Sequence, residues 1–365
     1  MLLIGAGCSR NYSKSTSGIT NLASPLDNDF FQMAKKVILQ GQIEQNLAFM
    51  IYEIVDDLRK LYGYTMELFD PQNAFNTANA DRFLKVLDDD RLSLEKVMTE
   101  LSLEMEIFSR LPPFYGYKQT NNISYSADKL ALLIELVAIT ISKALEGPPC
   151  PKHTKLANSL KTGDVVISFN YDILMDNALR NSSKLTDCGY LIPFQKVSID
   201  GQQWTKAEDV SSDVVLLKLH GSMNWMHCAY CGCYFLTRYE KTGAWYVSLP
   251  PNCPNCGESN AYLERVIIPP LLSKDYSSQP MGYLWRQAER HLFRVREIVA
   301  IGYSFPPTDF ATEALLRIGL PWDIQKQTHF TVVNPDKKVF ERFAKAFNAS
   351  KVEWVSSLEE YLDVL

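Results

Sequence analysis

The chain lacks any apolar run long enough to cross a bilayer, which excludes a membrane-spanning helix. Its first residues lack a basic stretch followed by a long apolar segment, so a secretory leader is not expected. The reading is therefore a cytoplasmic protein with no membrane partner. An excess of positive charge is also missing. Lysine and arginine total 37 against 42 acidic residues, a net charge of −5. That balance argues against general nucleic-acid binding. Repeats and low-complexity tracts are absent as well. What is present is an ordinary globular composition, 46% hydrophobic and 22% charged over 365 residues. This suits one large domain with insertions.

Short continuous apolar runs recur along the chain. Met1–Ile4 breaks into "GAGCSR", and later come "DVVISFNYD", "VVLLKLHG", "RVIIPP", "EIVAIGYS" and "HFTVVNPD". Runs of this kind suit strands covered on both faces. Helical patterns such as "ATEALLRIGL" and "KKVFERFAKAFN" lie between them. The alternation predicts an α/β fold with a doubly wound, mostly parallel, Rossmann-like sheet. A different texture interrupts it. "IEQNLAFMIYEIVDDLRKLYG", "LSLEKVMTELSLEMEIFSRL" and "ADKLALLIELVAITISKALEG" carry apolar residues at helical spacing. The expected organisation is a Rossmann-like core over 1–39, 155–226 and 263–365, a helical insertion over 40–154, and a zinc ribbon over 227–262.

The ribbon is read from cysteines. Cys228-x-x-Cys231 and Cys253-x-x-Cys256 form two paired knuckles. In a reducing compartment that pattern is a metal site rather than a disulfide set. Four thiolates close a tetrahedral site and leave no position for water, so the expected Zn2+ is structural. Cys233 is a spare thiol beside the second ligand. Few basic residues accompany the module (Arg238, Lys241), which favours a stabilising clip over a nucleic-acid ribbon.

In doubly wound sheets ligands bind at the carboxyl ends of the strands. The polar residues there are Ser9, Asn170, His220, Ser304 and Asn334. Gly5-Ala6-Gly7 is a weak phosphate-loop signal, because Arg10 stands where the dinucleotide fingerprint has its third glycine. Asp172 suits helix capping as well as binding. His220, followed by Gly221, suits a general base.

As an ordered set these pieces resemble the sirtuin-like family. The set runs Gly5-Ala6-Gly7-Cys8-Ser9, Asn170-Tyr171-Asp172, His220-Gly221, Cys228 to Cys256, Gly302-Tyr303-Ser304 and Asn334. The resemblance implies NAD as a consumed substrate, cleaved at the nicotinamide-ribose bond. By the same resemblance Asn170 and His220 are catalytic. Asn170 would hold the nicotinamide ribose and the attacking water, and His220 would be the base. Gly5, Ala6, Gly7, Ser9, Arg10, Asp172, Gly302, Ser304 and Asn334 would bind the cofactor.

Two departures separate the chain from protein deacylases of that family. The segment "LASPLDNDFFQ" lacks the arginine of their Gly-Ile-Pro-Asp-Phe-Arg motif, so Pro25, Asp27 and Asp29 align only loosely. "VIIPPLLSK" replaces their Phe-Gly-Glu, and Pro269 and Pro270 cannot donate to an added peptide strand. The branch it resembles is the bacterial sirtuin-like NAD hydrolases, many of which act in phage defence. That implies NAD+ hydrolysis to nicotinamide and ADP-ribose, a homo-oligomer, and a companion defence protein such as an ATPase. The alternatives are an NAD-dependent deacylase or ADP-ribosyltransferase, and a non-enzymatic receptor for NAD or ADP-ribose. The helical block is expected to regulate activity. The very short first strand suggests an upstream helical segment in the natural protein.

Overall fold

The first strand, β1 (Leu2–Ile4), is three residues long and almost wholly buried. In this computed structural model it is the inner strand of a six-stranded sheet. Its neighbours are β2 (Val165–Ser168) on one side and β9 (Glu297–Ile301) on the other, both parallel. Beyond β2 lies β5 (Val215–Lys218). Beyond β9 lie β10 (His329–Val333) and β11 (Val352–Val355). The order β11-β10-β9-β1-β2-β5 is parallel throughout. The chain winds outward from β1 through β2 to β5, then returns to β9 on the other side. The reversal falls between β1 and β9, so the crevice outside their carboxyl ends is the switch point where such sheets take ligands. The doubly wound α/β architecture expected from the apolar runs is present.

The structure describes residues 1–10, 12, 24–40, 45–64, 69, 74–75, 79–110, 122–238, 249–259, 263–269, 280–305, 309–347 and 352–365. Pro270 and Lys241 lie outside the described residues. Two compact units emerge. One comprises Met1–Ser24, Leu145–Ile268 and Asp275–Leu365 and holds both sheets. The other comprises Pro25–Ala144 and Pro269–Lys274. Its helices include Phe30–Gln40, Gln45–Leu61, Leu94–Arg110 and Asn122–Ala144. Within this second unit the Arg59 guanidinium is buried, donates to the carbonyls of Arg82 and Phe83, and lies 4.8 Å from the Phe69 ring centre.

One strand assignment needs correction. The run "RVIIPP" reads as a parallel-sheet strand. It forms β8 (Leu263–Ile267) of a second, five-stranded sheet instead. There β8 runs antiparallel to β6 (Gly221–Cys228). β7 (Tyr234–Arg238) pairs with the other edge of β6, and β3 (Phe194–Ile199) and β4 (Trp204–Lys206) complete the order β4-β3-β7-β6-β8. Only Leu263 of β8 is fully buried. A short apolar run cannot say which sheet it joins. Among the described residues, no helix is long and apolar enough to cross a membrane.

Candidate functional site

The glycines of the first turn are demanded by backbone proximity. Gly302 has φ +62°, and a Cβ there would lie 2.1 Å from the Cys8 nitrogen. A Cβ on Gly5 would lie 2.5 Å from the Tyr303 Cα. The turns after β1 and β9 therefore touch through bare backbone. The Gly7 N–H donates to the Gly302 carbonyl at 2.9 Å and the Gly5 N–H to Ile301 at 3.0 Å. The Cys8 and Ser9 N–H groups close the turn onto Gly5 and Ala6. These four amides are committed inside the fold.

The same turn ties to the end of β2. The Ser9 hydroxyl donates to Asp172 Oδ2 at 2.8 Å. Asp172 Oδ1 accepts the Leu174 N–H at 3.0 Å, which orders the start of the helix Leu174–Asn181. Asp172 thus ties the first turn to the start of this helix. The Asn170 side-chain nitrogen donates to the Gly5 carbonyl at 3.1 Å and to Ser9 Oγ at 3.4 Å. Asn170 Oδ1 is buried and has no hydrogen-bond partner among the described residues. Buried acceptors are rarely left so, and one in a strand-end cluster points toward a ligand donor.

His220 follows β5 and is buried. Its ring stands 5.4 Å from Phe169, 6.5 Å from Tyr171 and 6.5 Å from Trp285, centre to centre. Gly221 needs its φ of +81°, because a Cβ would meet the Val266 carbonyl at 2.0 Å. Phe169 also stacks on Tyr303 at 4.4 Å, which carries the aromatic lining from β2 across to β9. Phe305 is held at φ +48° and stacks on Phe343 at 4.8 Å. A bulky residue in that region stores strain that the packing must hold.

Ser9, Asn170, Asp172 and Gly5 thus form one hydrogen-bonded group, with Gly7 and Gly302 in contact beside it. Ala6 belongs to the same turn. The other expected residues lie along the same sheet edge with bonds of their own. Ser304 is exposed, and its carbonyl accepts from Arg342 at 2.6 Å. Asn334 is buried, and its Oδ1 accepts the Asp336 N–H at 2.9 Å. Arg10 is half-buried and donates to the Ser24 carbonyl at 3.2 Å. Sequence reasoning passed over Phe169, Tyr171, Tyr303 and Trp285, whose aromatic character alone does not separate lining from core.

Under the turn, His153 lies between two thiols. Cys8 Sγ is 3.5 Å from its Nε2 and Cys150 Sγ 3.1 Å from its Nδ1. Burial alone would lower the His153 pKa, but the adjacent sulfurs Cys8 and Cys150 outweigh it and raise it. Cys150 moves the opposite way. Burial would raise its thiol, and the bond and charge of His153 bring it below the usual range.

The metal knuckles assemble beyond β6. The ligand atoms of Cys228, Cys231, Cys253 and Cys256 all lie within 4.8 Å of one another. Cys228 and Cys256 are 4.0 Å apart, and Cys231 and Cys253 are 3.8 Å apart. Four sulfurs on a tetrahedron around zinc, each at about 2.3 Å, would be about 3.8 Å apart. Gly232 and Gly257 each follow a knuckle's second cysteine with φ of +71° and +78°. Their N–H groups return to the carbonyls of Cys228 and Cys253. The Asn255 and Cys256 N–H groups point at Cys253 Sγ. The four thiols can therefore hold a metal ion. Cys233 stays outside the four, and its sulfur accepts from Asn255 Nδ2 at 3.3 Å.

A family model described as a SIR2-like domain matches residues 164–354, more than half of the chain. No curated protein matches. Among solved structures, a mutant Sir2 homologue bound to ADP-ribose is 14% identical, over 100% of this chain and 88% of its own, with TM-score 0.36. A Sir2 homologue in complex with NAD is 16% identical, over 74% of this chain and 91% of its own, with TM-score 0.35. A triple-mutant Sir2 homologue with 2'-O-acetyl-ADP-ribose is 16% identical, over 74% and 94%, with TM-score 0.39. These likenesses are too distant to carry an argument. The family match stands without them.

Proposed function

Since the chain belongs to the SIR2-like domain family, we propose that it hydrolyses NAD+ to nicotinamide and ADP-ribose. The observation that carries this reading is the Asn170 side chain. Its nitrogen is committed to Gly5 and Ser9, while its buried oxygen lacks a donor among the described residues. A ribose hydroxyl or an attacking water supplies that donor.

In the proposed reaction the bond from ribose C1′ to the pyridinium nitrogen breaks. The bonding pair leaves with nicotinamide, which departs neutral. The oxocarbenium-like ribose then accepts a water oxygen. Asn170 orients that water, and His220 takes its proton, a role worth roughly 10²–10⁴-fold. The rings of Phe169, Tyr171 and Trp285 around His220 limit bulk water. Gly5, Ala6, Gly7, Ser9, Arg10, Asp172, Gly302, Ser304 and Asn334 are assigned to binding the substrate along the switch-point crevice. Zn2+ on Cys228, Cys231, Cys253 and Cys256 is assigned a structural role, since four thiolates leave no open position. Water rather than an acylated peptide is chosen as acceptor because Pro269 and Pro270 disfavour an added peptide strand. The antiviral setting, the homo-oligomer and the companion ATPase rest on the sequence resemblance alone.

The test is incubation of pure protein with NAD, with and without an acyl-lysine peptide, reading nicotinamide and ADP-ribose. Release without peptide is expected. Asn170→Ala and His220→Ala are expected to abolish it while melting as the parent does. Release only with peptide would favour a deacylase, and binding without turnover would favour a receptor.

A further inference from the structure

Strand β5 contains an ionisable residue where its neighbours are leucine. Lys218 is 0% exposed, between the buried Leu217 and Leu219. Its ammonium lies 3.0 Å from Asp176 Oδ2 and donates to the main-chain carbonyl of Asp172. Asp176 Oδ1 accepts the Tyr190 hydroxyl at 2.8 Å. Burial and the Asp176 charge both push the Tyr190 pKa well up, so it remains a donor.

A buried ion pair is a weak source of stability, because apolar residues of the same size usually serve as well. Stability therefore does not explain a lysine here. Position does. In the pairing of β2 with β5, Lys218 stands opposite Ser168. Two residues further along each strand are Asn170 and His220. The Lys218 ammonium reaches from one chain segment to the other and holds Asp172, whose carboxylate holds Ser9. Tyr171 between them is held by its carbonyl to the Met223 N–H at 3.0 Å and by its hydroxyl to the Ile268 carbonyl at 2.7 Å. Leucine at 218 would fill the volume and leave the Asp172 carbonyl without this donor.

We propose that Lys218, oriented by Asp176, is a positioning residue that fixes the Asn170–Asp172 segment against His220. The functional part of this proposal rests on the NAD-cleaving reading above. The lysine touches no reacting atom and acts through the segment it anchors.

The single change Lys218→Met would leave Asp176 buried without its counter-charge and is liable to unfold the chain. The decisive variant is therefore Lys218→Met with Asp176→Asn, which removes both charges and leaves an amide oxygen to accept the Tyr190 hydroxyl. Its melting temperature is expected to fall by only the few degrees that one lost hydrogen bond at the Asp172 carbonyl costs. Hydrogen exchange of the peptide spanning 169–174 is expected to quicken, with the rest of the sheet unchanged. If the parent cleaves NAD, kcat is expected to fall about 10- to 100-fold with KM nearly constant, the signature of misplaced groups. A double variant with parental exchange at 169–174 and parental kcat would overturn the proposal. If the parent cleaves no NAD, the function is wrong, and the exchange measurement alone still decides the anchoring role. Faster exchange confined to 169–174 supports it, and uniform or unchanged exchange rejects it.

Discussion

The Ser9 hydroxyl and the Asp172 carboxylate meet at 2.8 Å although 163 positions separate them in the chain. Asp172 is buried and takes its other bond from its own helix start. Replacing Ser9 with alanine removes one hydrogen-bond donor from a buried carboxylate. The cost is expected to be about 1–3 kcal/mol, above that of an ordinary hydrogen bond. Chemical denaturation of Ser9→Ala beside Ser9→Thr measures it. NAD cleavage is expected to drop in Ser9→Ala and to survive in part in Ser9→Thr.

Gly302→Ala is expected to be severe. It places a side chain in the left-handed region and 2.1 Å from the Cys8 nitrogen. The left-handed penalty alone is about 1–2 kcal/mol, and the clash pushes two sheet turns apart. Gly163→Ala is the control. Its φ is +91° with no atom within 4 Å of the added carbon. A melting curve for each separates clash from backbone strain, and equal losses would remove the close-approach argument.

Cys253→Ser is expected to lose bound metal, solubility and melting temperature together. A structural zinc site supplies folding free energy, so its loss is felt as instability. Cys233→Ser is expected to keep its metal, since that sulfur lies outside the four. Metal content by atomic absorption after gel filtration decides both. Metal retained in Cys253→Ser would displace Cys253 from the ligand set.

Asp187 gives a pH-dependent outcome. Burial would raise its pKa, but Arg238 and Arg180 overcome that and hold it below the usual carboxylate value of 3.8. A carboxyl lowered on folding stabilises the native state above the unfolded pKa. That contribution is lost as the pH falls through the lower, folded pKa. Asp187→Asn is therefore expected to melt below the parent by a constant margin from pH 8 to about 5, narrowing below about 4. A margin that widened in acid would reverse the sign.

Local features were legible in the sequence. Two CxxC knuckles declare themselves by spacing, and β2, β5, β9 and β10 by largely apolar runs. Features set by a distant partner were not. β6 carries Ser222 and Asn224 in a mostly buried stretch, polar residues that interrupt any apolar run. It is a strand because β7 and β8 pair with it on either side, and its buried polar side chains are satisfied, Asn224 Nδ2 donating to the Thr237 carbonyl on β7 and Ser222 Oγ to Asn224 Oδ1. Lys218 was visible as one charge in an apolar run, but its meaning depends on Asp176 and on the Asp172 carbonyl. Likewise, the aromatic lining at Phe169 and Tyr303 exists only once β2 and β9 flank β1.

That flanking arrangement has a consequence for synthesis. β1 precedes both of its partners by a long way in the chain: β2 begins at Val165 and β9 at Glu297. Its hydrogen bonds span most of the chain, and such long-range pairings form late. Until residue 302 has emerged from the ribosome, the turn at Gly5–Ser9 can meet Asp172 but not Gly302. A chain truncated before Gly302 consequently lacks one side of this turn contact. The contact between the two sheet turns is in this way completed only after β9 has been made.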